Sequence, residues 1–317
     1  MRLLLIGCGG IGRRWLEGWI NYGLSGSILD ITIVEPNPDF EEVISNRGKG
    51  TELVIVPTLQ DIGSCKDIDL AVVATSSAVR TDLVEELKDT GVYCNLLILE
   101  KNLCQSLHEL GRLNELVKSF NDVRVNCTVR HYPFALAMEG HDFKQMAVTG
   151  MSWGIGCNFI HMLDLFSFLL EGSGDSITEL IVDEVTEVFD SRRSGYKEFH
   201  GLVRVKSRNG RTMLCESTPG DYDRKISISG EYIEMCWDDN FLKVSNIREA
   251  DATYFSPEIY QSQYSKEWLE LLAKGVVPPL SKYEPIASLT DHMLNAFGAV
   301  FYDNKSCICK ETVIPIT

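Results

Sequence analysis

Short runs of apolar residues alternate with helical patterns along the first third of the chain. The runs are rich in leucine, isoleucine and valine, and segments with apolar residues at helical spacing separate them. They lie at residues 3–6, 31–34, 53–56, 70–74 and 96–99, with a sixth at 123–129. Continuous apolar runs between helices are typical of βαβ units, so the pattern predicts a buried parallel sheet.

The pattern changes after about residue 130. A helical segment at 158–170 is followed by closely spaced strand-like segments at 177–189, 202–206, 212–216, 225–229 and 232–237, and helical patterns at 264–274 and 284–301 close the chain. Strict alternation over 225–229 is typical of a strand with one buried face. We therefore predict an α/β chain with a parallel-sheet domain at 1–122 and a domain with a mostly antiparallel, open sheet at 123–317. The last helix is a candidate to pack back on the first domain.

The length of the chain indicates the number of domains, and its net charge argues against some classes of partner. A chain of 317 residues has the length of about two domains. Its formal net charge is −15, and an acidic surface repels nucleic acid and anionic lipid, so we expect neither as a partner. The longest apolar stretch, residues 159–170, is too short to span a bilayer. Scattered cysteines and no signal-peptide pattern favour a cytoplasmic location.

A glycine-rich segment follows the first apolar run directly. Residues Gly7, Gly9 and Gly12 fit the pattern G-x-G-x-x-G, with Gly10 and Ile11 between them, and a helical pattern begins at once. In this context the first glycine allows a tight turn, the second lets the backbone approach a pyrophosphate, and the third lets helix and strand pack closely. The free amides of the helix N-terminus then attract phosphate. The alternative is a glycine turn in an α/β protein that binds no nucleotide.

An acidic residue ends the second apolar run. Glu35 lies 23 residues after Gly12, close to the offset of the carboxylate that binds the ribose hydroxyls of a dinucleotide. A carboxylate there repels a 2′-phosphate, and the following Pro36-Asn37-Pro38 offers no cation to accept one. The sequence therefore favours NAD over NADP.

With these features the chain resembles the Gfo/Idh/MocA oxidoreductase family over nearly its whole length. The motifs that carry the resemblance are, in order, the glycine loop with Glu35-Pro36-Asn37-Pro38, Ala74-Thr75-Ser76-Ser77, Glu100-Lys101-Asn102, Arg130-His131-Tyr132-Pro133, and Asn158-Phe159-Ile160-His161-Met162-Leu163-Asp164. The resemblance implies an N-terminal Rossmann domain and a C-terminal α/β domain with an open antiparallel sheet. It also implies hydride transfer at a hydroxyl or keto group of a sugar, cyclitol or nucleotide-linked sugar, and a homodimer or homotetramer that forms through that sheet.

The same motifs imply roles for individual residues. Thr75, Ser76 and Glu100 are expected to bind the cofactor. Lys101 corresponds to a lysine that contacts the reacting oxygen, and it follows the fifth strand at the edge where ligands of parallel sheets bind. His161 is the second expected catalytic residue, since histidine is the usual proton shuttle near neutral pH. The alternatives are a solvated surface lysine and a histidine in the core.

Further residues are candidates for contact with the substrate. They are Arg80, Arg130, Tyr132, Asn158 and Asp164. Arg80 has a fixed cationic fork that suits a carboxylate or phosphate, which hints at an anionic substrate, although a solvated helix arginine explains it equally well. Asp164 lies three residues after His161, so it is expected either to orient that histidine or to bind nearby backbone groups.

Three departures from the family pattern weaken the expected chemistry, and one is Arg80, which stands where the family has a histidine after the fourth strand. Cys157 stands where many members have an aspartate, and Asn102 stands where they have a proline, often in a cis peptide. A cis bond before a residue other than proline is costly, so we expect a trans bond at this point. Cys157, His161 and Asp164 have a spacing that could hold a metal, but no second cluster supports one, so none is expected.

Two other functions remain open on the sequence. A protein that has lost catalysis and senses NAD or a sugar would explain the missing aspartate and proline. A hydrolase that uses NAD in a redox-neutral cycle would keep the same residues as a dehydrogenase.

Overall fold

The computed structural model describes residues 1–63, 67–138, 141–171, 174–231, 233–238, 241–246, 252–255, 260–302 and 309–316. The chain forms two compact units. The first consists of Met1–Cys104, His108–Asn126 and Ile259–Ala287, and the second of Gln105–Leu107, Cys127–Glu258 and Ser288–Thr317.

The strands over the described residues are β1 (Arg2–Ile6), β2 (Leu29–Val34), β3 (Thr51–Val56), β4 (Asp67–Val73), β5 (Tyr93–Glu100), β6 (Val123–Asn126), β7 (Gln145–Met151), β8 (Ile177–Asp190), β9 (Lys197–Ser207), β10 (Thr212–Thr218), β11 (Asp223–Ser229), β12 (Ile233–Asp238), β13 (Phe241–Asn246), β14 (Ala252–Phe255) and β15 (Ser281–Lys282). The α-helices are α1 (Gly10–Gly23), α2 (Glu41–Ser45), α3 (Ser77–Asp89), α4 (Leu107–Leu116), α5 (Pro133–Met138), α6 (Ile155–Glu171), α7 (Gln261–Ala273) and α8 (Tyr283–Phe301).

The first unit is built on a seven-stranded sheet in the order β15-β6-β5-β4-β1-β2-β3. Strands β1 to β6 pair in parallel, and only the two-residue β15 runs antiparallel, against β6. Leu3, Leu4 and Leu5 at the centre of the sheet are completely buried. This burial on both faces explains the continuous apolar runs in the sequence, because parallel strands covered by helices have no solvent face.

The boundary between the two units lies after Asn126, four residues later than the predicted boundary at residue 122. Strand β6 pairs with β5 and therefore completes the first sheet up to Asn126. The predicted strand over 123–129 is correspondingly shorter, since residues Thr128–His131 form a 3₁₀ turn. Helix α7 also belongs to the first unit, where it packs along α1.

The second unit is built on an eight-stranded sheet in the order β14-β13-β12-β11-β7-β10-β9-β8. Strand β7 pairs in parallel with β10, and the other neighbours are antiparallel. Helix α6 buries an apolar face in this unit, and the rings of Phe159 and Phe199 both lie against Phe297 of α8, with centroids 5.3 Å and 5.1 Å away. The predicted fold class is therefore confirmed, with a parallel-dominated sheet and a second, mostly antiparallel one.

Among the described residues, the helices are all too short or too polar to cross a bilayer.

The contact between α1 and α7 is unusually close because it is built around a glycine. A Cβ atom on Gly18 would overlap with the hydroxyl of Ser265 and the carbonyl oxygen of Ser262. On the same side, the Trp15 ring lies 5.1 Å from that of Trp268. The two helices can therefore approach only if residue 18 has no side chain.

We predict that Gly18→Ala lowers the free energy of unfolding by about 1–3 kcal/mol, because the added methyl group must push α7 away from α1. Urea unfolding of the purified protein measures this change. Gly111→Ala is the matched control: Gly111 lies on α4 with no atom within 4 Å of an added Cβ, so alanine should stabilise by about 0.5–1 kcal/mol. Equal stabilisation at both sites would contradict the close contact.

Candidate functional site

The glycine loop is the first part of the candidate site. Gly7 has a φ of +86°, and a Cβ there would lie 2.6 Å from Cγ2 of Thr75. A Cβ on Gly12 would overlap with the carbonyl oxygen of Gly7. These two positions accept only glycine, one for its backbone conformation and the other for the close approach of α1 to the strand before it.

The middle of the loop is open. Gly9 and Gly10 are exposed, and an added Cβ on either would meet no atom within 4 Å. Gly9 occupies the N-cap position of α1 and offers no side chain to cap the helix, and Ile11 is half-buried in the first turn. The start of α1 is therefore uncovered around Gly9 and Gly10, and an uncovered helix N-terminus is the geometry that binds phosphate.

Glu35 lies beside this loop, directly after β2. Its Oε2 accepts a hydrogen bond from the backbone amide of Cys8 at 2.8 Å, and its Oε1 accepts one from the amide of Asn37 at 3.1 Å. The backbone thus holds the half-buried carboxylate at the edge of the glycine loop. Burial, and to a smaller extent the charge of Glu35, raises the pKa of the Cys8 thiol to about 12.

The turn after β4 supplies a third element. The hydroxyl Oγ1 of Thr75 is buried and has no hydrogen-bond partner among the described residues. Ser76 is the N-cap residue of α3, and its half-buried side chain makes no capping hydrogen bond. An orphaned hydroxyl next to the open glycine loop fits a polar ligand such as a dinucleotide, because a buried polar group without a partner is otherwise costly.

Glu100 is the last residue of β5, and its side chain is buried in a hydrogen-bond network. Its side chain is 4% exposed, and Oε1 accepts hydrogen bonds from Nε1 of Trp15 at 2.7 Å and Nδ2 of Asn126 at 2.6 Å. Asn126 also donates to Oε1 of Gln261, at 3.0 Å. Burial raises the pKa of Glu100, although these hydrogen bonds and nearby cations oppose the shift. Through these bonds the carboxylate ties α1, β6 and α7 together, and its contact with the cofactor stays a prediction.

Lys101 follows Glu100 at the carboxyl edge of the parallel sheet, as predicted, and is half-buried. The expected trans peptide bond after it is wrong: the Lys101–Asn102 bond is cis. Asn102 is completely buried, and its carbonyl oxygen accepts a hydrogen bond from Nη1 of Arg80.

Arg80 is buried, which corrects both earlier interpretations of it. The residue is 1% exposed, and its guanidinium donates to the carbonyl oxygens of Thr75, Asn102 and Leu103. It is not a solvated helix arginine. A cation enclosed in this way, with both terminal nitrogens bonded to the backbone, is also unsuited to the predicted contact with an anionic substrate.

In the second unit, Arg130 and Asp164 form a buried ion pair. Nε and Nη2 of Arg130 donate to the two carboxylate oxygens of Asp164, at 2.7 Å and 2.5 Å. Burial lowers the pKa of Arg130, but the charge and hydrogen bonds of Asp164 outweigh it, and the net shift is upward. Asp164 is completely buried. The arginine binds both of its oxygens, and the expected contacts of Asp164 with substrate and with His161 stay predictions.

The other predicted residues of this unit lie on α6 and after the 3₁₀ turn at Thr128–His131. His161 and Asn158 are half-buried on this helix, and Nδ2 of Asn158 donates to the carbonyl oxygen of Trp153 at 2.7 Å. The half-buried Tyr132 has its ring 5.6 Å from that of Trp237. His161, Asn158 and Tyr132 retain exposed surface, so their contact with a ligand stays a prediction.

The sequence did not point to Glu198, which organises the same helix end. This residue of β9 is 6% exposed, and its carboxylate accepts hydrogen bonds from the amides of Gly156 at 2.7 Å and Cys157 at 2.9 Å. An acidic cap from a distant strand leaves no local motif. Across the described ranges, no cluster of three potential ligands could hold a metal ion.

Comparisons with known proteins come only from solved structures, because no family model and no curated protein matches the sequence. An oxidoreductase from Agrobacterium radiobacter, solved in complex with NAD⁺, L-tartaric acid and magnesium, superposes with a TM-score of 0.70 at 16% identity, over 96% of this chain and 97% of that one. UDP-N-acetylglucosamine 3-dehydrogenase GnnA from Acidithiobacillus ferrooxidans gives 0.67 at 14% identity, over 93% and 96%.

A third structure bears on the cofactor. A putative NADPH-dependent oxidoreductase from Desulfitobacterium hafniense superposes with a TM-score of 0.69 at 11% identity, over 96% of each chain. At these identities the likeness shows that the chain shares the fold of these proteins.

The raised pKa of Glu100 predicts a pH dependence of stability. Between the ordinary pKa of 4.5 and the raised one, the folded protein keeps a proton that the unfolded chain releases, so the free energy of unfolding falls as pH rises through this range. Glu100→Gln keeps an acceptor oxygen and carries no charge. We predict that the stability difference between variant and wild type shifts in favour of the variant as pH rises from 4.5 to neutral, measured by urea unfolding.

Glu100→Ala is the control for this prediction. This change removes the acceptor of two buried donors, Nε1 of Trp15 and Nδ2 of Asn126. It should lower the free energy of unfolding by about 1–3 kcal/mol for each donor. A glutamine variant whose stability relative to wild type is constant across this pH range would show that Glu100 titrates normally.

Proposed function

We propose that the protein is an NAD-dependent oxidoreductase of the Gfo/Idh/MocA family that acts on a hydroxyl or keto group of a sugar, cyclitol or nucleotide-linked sugar. The observation that carries the proposal is the open N-terminus of α1 at Gly9 and Gly10, with the orphaned hydroxyl of Thr75 beside it. The dinucleotide that this geometry fits supplies the chemistry of hydride exchange with a CH–OH group.

The residues of the first unit divide the binding of a dinucleotide between them. The amides of Gly10 and Ile11 bind the pyrophosphate, and Thr75 and Ser76 offer hydroxyls from the neighbouring turn. The Glu35 carboxylate, fixed by the amides of Cys8 and Asn37, accepts hydrogen bonds from ribose hydroxyls.

Two charges near the loop support NAD over NADP. The carboxylate of Glu35 repels a phosphate at the ribose 2′ position. Arg13, one residue after the loop, is salt-bridged to Asp39 at 3.2 Å, so its charge is partly neutralised. The cofactor preference of this protein rests on these groups and not on its structural neighbours, which include an NADPH-dependent one by title.

Lys101 and His161 carry the proposed proton transfers. Nζ of Lys101 takes the hydroxyl proton when an alcohol is oxidised and returns it when a ketone is reduced, a role suited to its place at the carboxyl edge of the sheet. His161 is the second proton-transfer residue, since imidazole exchanges protons readily near neutral pH. Asn158 and Tyr132 bind sugar hydroxyls.

The proposed substrate class draws on the resemblance and on one neighbour that acts, by its name, on a nucleotide sugar. Assembly into a homodimer or homotetramer also belongs to the proposal. The outer strand β8 carries the exposed apolar residues Val185 and Val188, 40% and 43% exposed, on the open sheet where such contacts would form.

A second candidate is a sensor that binds NAD without turnover. It is favoured by Cys157, which takes the place of the family's aspartate, and by the burial of Asp164 against Arg130. Both observations reduce the number of groups available for proton transfer.

Incubation of the purified protein with NAD⁺ or NADH and a panel of sugars, cyclitols and nucleotide sugars tests the proposal. A change in NADH absorbance with product formation supports the dehydrogenase. Product without net NADH change supports a redox-neutral hydrolase, and tight NAD binding without product across the panel supports the sensor. No binding of either dinucleotide by calorimetry would refute the proposal itself.

Glu35→Ala should weaken NAD⁺ binding by about tenfold, the cost of one or two lost hydrogen bonds, and reduce the preference for NAD⁺ over NADP⁺. Calorimetry with both dinucleotides measures the two affinities. Gly9→Ala is the control: its Cβ has open space in the protein but fills the place of the pyrophosphate, so it should weaken both dinucleotides equally. An unchanged preference in Glu35→Ala would remove Glu35 from the ribose site.

Lys101→Ala should lower kcat by about a hundredfold, the usual loss when acid–base assistance is removed, while the NAD dissociation constant stays near that of the wild type. Steady-state kinetics and calorimetry measure the two quantities. Lys88→Ala, at an exposed position near the end of α3, is the control and should leave both unchanged. Full activity in Lys101→Ala would exclude the proposed proton transfer.

A further inference from the structure

Arg80 is a cation in the interior of the first unit. It lies in the first turns of α3, and its side chain is one of the largest that are fully buried. Transfer of a guanidinium from water into a protein interior is strongly unfavourable unless its donors find acceptors. An arginine at this position therefore requires a specific arrangement of acceptors around it.

The acceptors are carbonyl oxygens from two separate turns. Nη2 donates to the carbonyl of Thr75, in the turn after β4, and Nη1 donates to the carbonyls of Asn102 and Leu103, the latter at 3.4 Å, in the turn after β5. Strands β4 and β5 are parallel neighbours, so the two turns open at the same edge of the sheet. One planar guanidinium thus joins them, a geometry that the single ammonium of lysine cannot reproduce.

Each turn also touches the candidate site. Thr75 packs so closely on the glycine loop that a Cβ on Gly7 would lie 2.6 Å from its Cγ2. The second turn begins with Lys101. The guanidinium therefore links the wall of the glycine loop to the backbone that carries the lysine.

Arg80 and Lys101 also interact electrostatically with Glu100. Burial raises the pKa of Glu100, and the charges of both Arg80 and Lys101 act in the opposite direction. The three ionisable side chains therefore interact electrostatically around the end of β5, and a change in one alters the field at the other two.

We propose that Arg80 is a positioning residue that couples the two turns: it holds the backbone of Lys101 in a fixed place relative to Thr75, so that occupation of the glycine loop is transmitted to the lysine turn. The identity of the ligand and the role of the lysine rest on the proposed function. The mechanical link itself does not, because it consists of contacts within the protein.

Amide hydrogen exchange of the full chain, followed by mass spectrometry, tests the link without any ligand. Arg80→Lys and Arg80→Ala should raise exchange at both 75–77 and 101–104 by about tenfold, as expected when local opening becomes easier by about 1.4 kcal/mol. Arg112→Ala is the matched control. Arg112 bonds Glu85 at 2.5 Å and Asp82 at 3.0 Å, so it also joins α3 to α4, but on the surface, and its loss should leave both turns unchanged. The lysine variant preserves the charge and keeps the test valid if the alanine variant fails to fold.

Ligand and rescue experiments test the coupling. Saturating NADH should slow exchange at 7–12, 75–77 and 101–104 in the wild type, but only at the first two segments in Arg80→Lys. The same variant should lose about tenfold in kcat through misplacement of the lysine, with KM for NAD within about threefold. Methylguanidinium should restore protection and turnover in Arg80→Ala and have no effect on Arg112→Ala.

The outcomes separate the two proposals. Unchanged exchange at 101–104 in both Arg80 variants, or NADH protection of that segment in Arg80→Lys equal to that in the wild type, would overturn the coupling. If the wild type binds no NADH, the proposed function fails, and the exchange of the free variants still decides whether Arg80 joins the turns.

Discussion

The contact between the α-carbon of Gly12 and the carbonyl oxygen of Gly7 determines where the first helix begins. Because no side chain separates them, α1 can start immediately behind β1, and its first amides remain uncovered at the edge of the sheet. Two further contacts fix the position of α1. The indole of Trp15 donates a hydrogen bond to the buried carboxylate of Glu100, and Gly18 allows α7 to pack closely against α1. The exposed backbone at the start of α1 thus depends on packing contacts deeper in the same unit.

Two buried carboxylates show how surroundings decide what an acidic group can do. Glu100 accepts hydrogen bonds from neutral donors, and its burial raises its pKa. Asp164 accepts two hydrogen bonds from the guanidinium of Arg130, so its charge is balanced locally. Both were predicted as ligand contacts because their motifs match a family pattern. In the structure each is buried and connects secondary-structure elements through its hydrogen bonds.

The sequence was informative wherever a function depends on local geometry. The glycine spacing, the carboxylate after β2 and the lysine after β5 could all be located, because each follows from the position of a strand end. It was uninformative wherever a residue pairs with a distant one. Arg80 is a charged residue in a helix, which suggests solvent exposure, and nothing nearby in the sequence reveals that two turns enclose it. Likewise, the packing of α7 on α1 and the cap that Glu198 provides for α6 join segments far apart in the chain.

The thiol in the glycine loop has a chemical consequence. The Cys8 side chain is 2% exposed, and burial raises the pKa of its thiol. Since only the thiolate is nucleophilic, oxidants and electrophiles that attack exposed cysteines should react slowly with this one. The loop thus contains a small, buried packing group next to Glu35 that resists oxidation.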